Sequence, residues 1–269
     1  MGGAEARSFR ATVEYDGTAY FGFQRQRRGP NRVGVSIQEE LEEALGRLAG
    51  HPIRVTGAGR TDTGVHALGQ VIGFTIEWPQ RRGDAALLRA LNASLPPDIA
   101  VSTLAEALPG FHPRFDARRR TYEYRVLNAP VRRPLFRWRA WHVAAALDEA
   151  QMNVAAARLV GMRDFATFGR PPVGDNTTRT IYSAAWRRES DLLIFRVVAN
   201  AFLHRMVRSL VGSLRKVGDG SWSVDDFAVA LAACDRKRSA SAAPAHGLYL
   251  VSVEYDTSDE LRVTRYSDE

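Results

Sequence analysis

The chain reads as strand, helix, strand, strand, helix, strand, and then reads that way a second time. In the first round, Phe9, Ala11, Val13 and Tyr15 alternate with Arg10, Thr12 and Glu14, as a half-buried strand requires. Ser36 and Glu39 spell a capping box, and Ile37, Leu41, Leu45 and Leu48 give the helix after it one apolar face that Gly50 ends. Strand-like segments at 53–56 and 68–76 follow, then a helix over 84–95 stopped by Pro96 and Pro97, and a strand over 98–104. The second round has a strand carrying Tyr122, Tyr124 and Val126, a helix over 148–160, strands at 178–188 and 192–199 around the turn Glu189-Ser190-Asp191, a helix over 201–216 and a strand over 248–255. An extra helix, capped by Ser223 with Asp226, runs to about Cys234. This order predicts an α+β fold of two tandem split-βαβ lobes, ferredoxin-like or RRM-like, over residues 1–108 and 109–269. A cleft between two such sheets suits a long polyanion.

The composition supports a folded chain with an acidic partner. Of 269 residues 45% are hydrophobic, enough for a substantial core, and the net charge is +7. Nearly every basic residue is Arg; Lys216 and Lys237 are the only lysines. That skew reflects a compositional bias, but the positive balance remains and favours nucleic acid. Cys234 is the only cysteine, so one chain can build neither a disulfide nor a multi-thiolate metal site. With no signal-peptide pattern and no apolar run of membrane-spanning length, the expected location is cytoplasmic.

The densest chemistry lies in G-A-G-R-T-D-T-G-V-H-A-L-G, residues 57–69. Asp62 stands between strand-like segments, two residues after Arg60 and four before His66. Gly57, Gly59 and Gly64 allow tight backbone paths that bring a carboxylate close to a ligand. A lone aspartate in a polar turn is ordinarily a turn former; Arg, Thr, Asp and His packed into one short run exceed what a turn needs. An aspartate acting alone must be ionised, and a guanidinium nearby favours that form. Arg60 is one source. Arg208, on F-L-H-R-M-V-R (202–208), is a second, although its place at the margin of an apolar stripe also fits a side chain that snorkels to water.

Tyr122 reads either as a core aromatic or as a base-stacking group with a hydroxyl at the reacting centre. Around it Arg114, Arg118, Arg119, Arg120, Arg132, Arg133, Arg137 and Arg139 interleave with Phe111, Phe115, Phe136, Trp138 and Trp141. Cations neutralise phosphates and rings stack on unpaired bases, a composition that suits RNA; about half of these arginines are equally explained as solvated surface. No histidine forms an H-x-x-x-H or carboxylate–His cluster, the glycines do not fit G-x-G-x-x-G, and no G-K-[ST] or serine elbow occurs. By exclusion the most economical catalytic group is Asp62, without cofactor or metal.

These residues resemble the TruA-type tRNA pseudouridine synthases over nearly the whole chain. The run G-R-T-D-T-G-V-H-A (59–67) is similar to that family's active-site motif. In order around it come Y-D-G-T-A-Y-F-G-F-Q-R-Q (15–26), L-N-A-S-L-P-P-D-I-A-V (91–101), F-H-P-R-F-D-A (111–117), T-Y-E-Y (121–124), D-F-A-T-F (164–168), F-L-H-R-M-V-R (202–208) and G-L-Y-L (247–250). Thr63 stands where the family usually has Ala, and Phe23 where it usually has Trp.

The resemblance implies a pseudouridine synthase fold and a cofactor-free isomerase. Asp62 would assist cleavage of the uridine N1–C1′ bond, at the sugar or on the base, before the uracil turns and reattaches through C5. Arg60 would occupy the space of the extruded nucleotide, Tyr122 would stack on the target base, and Arg208 would pair with Asp62. Arg25, Gln26, Arg114, Arg119 and Arg120 are expected to contact RNA. The substrates implied are uridines 38, 39 and 40 of the tRNA anticodon stem-loop, and the implied assembly is a homodimer. Two competing functions remain from the residues alone: a non-catalytic tandem RNA-binding module, and an aspartate-dependent nuclease or hydrolase that would need a metal site.

Overall fold

The computed structural model describes residues 6–26, 34–79, 82–256 and 264–265. Arginines 27 and 28 and the Gly29-Pro30 step of the expected polar loop lie outside them. The described residues form eleven strands and five α-helices, an α+β architecture with mixed pairing. They divide into two compact units. One takes in Met1–Arg118 and Leu250–Glu269, the other Arg119–Tyr249. The division therefore falls after Arg118, further along than the joint expected near 109, and the C-terminal segment returns to the first unit. No helix among the described residues is long and apolar enough to cross a membrane.

In the first unit β1 (Ala6–Tyr15) lies between two antiparallel partners. Its inward residues Phe9, Ala11, Val13 and Tyr15 are buried, with Phe9 opposite Phe74 of β3 (His66–Glu77) and Ala11 opposite Leu104 of β4 (Ile99–Glu106). Two residues of β11 (Thr264–Arg265) extend the far side of β4. Helix α1 (Ile37–Ala49) carries the capping box read from Ser36 and Glu39, and Gly50 ends it at φ 76°. Such a cap contributes about 1 kcal/mol. Helix α2 (Asp84–Ser94) buries Leu87, Leu88 and Leu91 and stops short of Pro96.

The strand expected over 53–56 shrinks to β2 (Thr56–Gly57), paired with β3. Side chains of α1 take the place of a ladder. The Val55 N–H donates to Glu42 Oε1 at 3.2 Å, and Gln38 Nε2 donates to the Val55 carbonyl at 2.9 Å. Ile53 and Val55 are buried all the same, so the apolar signal was sound and the pairing partner was different.

In the second unit β5 (Arg119–Leu127) pairs antiparallel with β9 (Leu192–Ala199), β9 with β8 (Thr178–Glu189), and β8 with β7 (Gly161–Asp164); β6 (Trp141–His142) joins β5 in parallel. Helix α3 (Glu149–Ala157) starts at the Asp148 cap, and α5 (Val224–Ala232) has the Ser223–Asp226 capping box. Strand β10 (Leu248–Glu254) carries the chain back into the first unit.

Two expectations fail here. Helix α4 spans Met206–Gly218, not 201–216. Asn200 Oδ1 accepts the N–H groups of Ala201 and Thr180, the His204 N–H donates to the Arg170 carbonyl, and Arg205 takes φ 62°. Tertiary hydrogen bonds thus hold 201–205 out of the helix, although the apolar spacing continues through them. Cys234 lies beyond α5 rather than within it, exposed and at φ 51°.

Candidate active site

Asp62 is half-buried at a turn in which the Val65 N–H donates to the Asp62 carbonyl at 3.1 Å, with Gly64 at φ 78°. The approach to that turn is fixed from three directions. Gln70, fully buried on β3, clamps Gly59: its Nε2 donates to the Gly59 carbonyl at 2.8 Å, and its Oε1 accepts the Gly59 N–H at 3.3 Å. This side chain imitates the strand neighbour that the loop lacks. Next along, Thr61 Oγ1 shares a buried hydrogen bond of 2.8 Å with the Tyr15 hydroxyl, and the Thr61 carbonyl accepts the Phe23 N–H at 3.0 Å. Gly22 sits at φ 78°, and a Cβ there would come within 2.5 Å of the Thr61 carbonyl, so only glycine allows this approach. Arg60, between the two anchored residues, is exposed.

Below the turn lies His66, 2% exposed. Its Nδ1 stands 3.2 Å from the Gly17 N–H and 3.0 Å from Asp16 Oδ1. A bare Nδ1 accepts the first; a protonated one donates to the second. Asp16 Oδ1 also accepts the Thr18 hydroxyl at 2.6 Å, and its contact with His66 links the end of β1 to the start of β3. Of the two departures from the family pattern, Phe23 is buried with its ring against Gly57, and Thr63 is exposed. Neither disturbs the backbone bonds of the loop.

Tyr122 and Arg208 belong to the second unit. Tyr122 sits on β5 opposite Val197, 8% exposed, with the Phe202 ring edge-on at 5.0 Å. Arg208 lies in the first turn of α4 and does not simply reach for water. Its Nε donates to the Ala243 carbonyl at 2.7 Å, and its own carbonyl accepts the Ala243 N–H at 2.9 Å. Two titratable side chains sense its charge. Burial pushes the Tyr124 phenol far up, against the opposing pull of Arg208, and Tyr124 donates to the Pro244 carbonyl at 2.7 Å. Burial holds His246 below its ordinary value, and the Arg208 charge adds to that, while a hydrogen bond with the Ala140 backbone opposes both.

The residues expected to grip RNA differ in their availability. Arg25 faces carboxylates of α1, Glu39 at 3.6 Å and Glu42 at 3.4 Å, and Gln26 Nε2 donates back to the Phe21 carbonyl at 3.1 Å. Arg114 lies 5.7 Å from the Phe115 ring centre. In the second unit, Arg119 is exposed over the Tyr182 ring at 4.6 Å, and Arg120 Nη1 donates to the Asn200 carbonyl at 2.8 Å. Within the belt, Arg118 pairs with Asp256 and Arg133 with Asp191.

Gln70 and Ala243 were not singled out in the sequence, and Tyr15 was read only as an inward strand residue at the start of a motif. Gln70 carried a signal, since it is the one polar side chain in the otherwise apolar stretch 67–74 and its neighbours Val71 and Ile72 are core residues. Ala243 acts through its backbone, which leaves no trace in residue type.

The family profile described as tRNA pseudouridine synthase matches residues 11–116 and 155–256, and these stretches contain Arg60, Asp62 and Arg208. A protein of Rhodospirillum rubrum named tRNA pseudouridine synthase A is 44% identical over 249 residues, covering 92% of this chain and 87% of its own. Proteins of the same name from Aeromonas hydrophila and Francisella tularensis subsp. novicida are 43% and 42% identical, covering 90% and 93% of this chain and 88% and 94% of theirs. The chain belongs to the tRNA pseudouridine synthase family, isomerases that convert uridine to pseudouridine.

Proposed function

We propose that this chain isomerises uridines 38, 39 and 40 in the anticodon stem-loop of tRNA, with Asp62 as the catalytic carboxylate and without a cofactor. What carries the reading is the loop. A half-buried aspartate is held by fixed bonds to Gly59 and Thr61 on a turn that displays it next to an exposed arginine. Chemistry on a stacked base requires its extrusion, at a cost of roughly a few kcal/mol. Arg60 offsets part of that cost by filling the vacated space. Asp62 then assists cleavage of the N1–C1′ bond, at C1′ or on the base, the uracil reattaches through C5, and loss of the C5 proton completes an isomerisation with no net redox change.

Tyr122 stacks on the turning base and serves proton transfer, and its near-complete burial against Phe202 fits a fixed platform. Arg208 pairs with Asp62, a role that rests on the family resemblance; its Nε is fixed on the Ala243 carbonyl. Arg25, Gln26, Arg114, Arg119 and Arg120 meet the RNA backbone, the exposed Arg119 being the readiest of them. Each unit is read as a split-βαβ lobe, the first supported by the run β4-β1-β3 with β2 paired to β3. The working form is a homodimer in the cytoplasm.

The test is site mapping. Purified protein is incubated with tRNA transcripts carrying a single uridine at 38, 39 or 40, or only outside the anticodon arm. Pseudouridine at the first three and none elsewhere is expected. Modification confined to another arm would refute the assignment.

A further inference from the structure

Two stretches marked by the resemblance, D-F-A-T-F and the start of F-L-H-R-M-V-R, have no part in the chemistry proposed above. They meet in the second unit. The His204 N–H donates to the Arg170 carbonyl at 2.9 Å, the two residues form a β-bridge, and a side chain at Gly169 would run into Leu203. Arg236 locks the junction from a third segment. Its Nη1 donates to the Thr167 carbonyl at 2.9 Å and to Ser209 Oγ at 3.2 Å, one helical turn beyond Arg205. Three arginines, 170, 205 and 236, are thereby drawn to the N-terminal end of α4, with Arg170 and Arg205 exposed.

Among the described residues no ion pair joins Arg170, Arg205 or Arg236 to an acid. Asp164 Oδ1 accepts the Ala166 N–H at 2.8 Å, and Asp235 Oδ1 accepts the Lys237 N–H at 2.9 Å. Burial first, and then the charges of Arg170 and Arg205, hold the Arg236 guanidinium below its ordinary value. Gathering guanidinium groups against their mutual repulsion, on segments pinned by hydrogen bonds, makes physical sense where an anion completes the set. The fork geometry of guanidinium matches two oxygens of a phosphate, and the helix N-terminus beside it favours the same charge.

We propose that Arg170, Arg205 and Arg236 form a subsite for a phosphodiester of the RNA backbone on the second unit. The ligand is a polymer phosphate and not a free anion: two of the three cations project from the surface, where a single small ion would be weakly held. The identity of the RNA as tRNA rests on the function proposed above; the subsite itself is read by binding alone.

The experiment measures tRNA affinity as a function of salt for the full-length protein and for Arg170→Gln, Arg205→Gln and the double variant, all carrying Asp62→Asn so that no turnover intervenes. Each single change is expected to weaken binding roughly 3- to 10-fold and to flatten the slope of log K against log salt by about 0.7–0.9, the double by about twice that. Melting temperatures are expected to stay level or rise, because repulsion is relieved; a purely structural role would lower them. Arg89→Gln, exposed on α2 of the first unit, removes the same charge elsewhere and is expected to leave the slope nearly unchanged. Unaltered slope and affinity in the double variant would overturn the subsite. So would an equal effect of Arg89→Gln, which would mean that net charge alone is felt, or equal competition by inorganic phosphate at millimolar levels, which would mean a free-anion site. If Asp62→Asn kept full activity, the catalytic reading would fall while this subsite stood.

Discussion

Replacing Gln70 by Leu removes the side-chain amide that holds Gly59 and leaves the core around Val71 and Ile72 apolar. Two hydrogen bonds are lost, at 2.8 and 3.3 Å, and the Gly59 N–H and carbonyl are left without their partner. A buried polar group stripped of its partner costs about 1–3 kcal/mol. Gly59 is only half-buried, so water relieves part of this, and a total of about 2–4 kcal/mol follows. At roughly 2–4 °C of melting temperature per kcal/mol for a chain of this size, the drop is on the order of 5–15 °C. The larger effect is local. Gly59 is three residues before Asp62, and displacement of a reacting group by about 1 Å can cost on the order of 10²-fold in rate. The expected outcome is a kcat for pseudouridine formation roughly 10–100-fold below wild type, measured well below the melting transition, with tRNA affinity within about threefold. Amide exchange at Gly59 and Thr61 should accelerate in parallel. A folded Gln70→Leu protein with undiminished kcat would refute the reasoning, because the loop would then be held by other means.

Two further outcomes are expected. Arg208→Gln, on the pairing proposed above, should lower turnover while tRNA binding stays within a few-fold of wild type; unchanged turnover would dissociate Arg208 from the reacting centre. His246 is held neutral by burial, with a folded value below the 6.5 of the free side chain. The unfolded chain therefore binds the proton more readily, and the stability contributed by neutral His246 is complete above pH 6.5 and lost as pH falls below it. Melting curves between pH 7.5 and 5.5 should show this loss in the wild type and a shallower one in His246→Gln; parallel curves would contradict it.

Much of the fold was legible because local rules and tertiary packing agree. The Ser36–Glu39 and Ser223–Asp226 boxes start helices where they were read, and Phe9 to Tyr15 alternate into the core as written. Where tertiary bonds overrode local pattern, the reading failed. The segment 201–205 continues the apolar spacing of α4, yet Asn200 and Arg170 claim its backbone. At 53–56 the apolar residues bury as expected, but Glu42 and Gln38 satisfy the backbone of Val55. Of the candidate site, the glycine-bracketed run pointed to Asp62 and Arg60 by residue type alone. The supports of that run were invisible, because the Gln70 clamp depends on which backbone lies opposite it. For Arg208 the apolar stripe favoured a snorkelling side chain, whereas the bond to Ala243 is a contact across 35 positions that spacing cannot reveal.

The central claim is that one carboxylate, Asp62, performs the chemistry. It is tested most directly by Asp62→Asn, a near-isosteric change, assayed for tritium release from C5-labelled uridine in tRNA alongside tRNA binding. Release is expected to vanish, a loss of at least about 10³-fold, while binding stays within a few-fold of wild type. Tritium release at the wild-type rate would contradict the account.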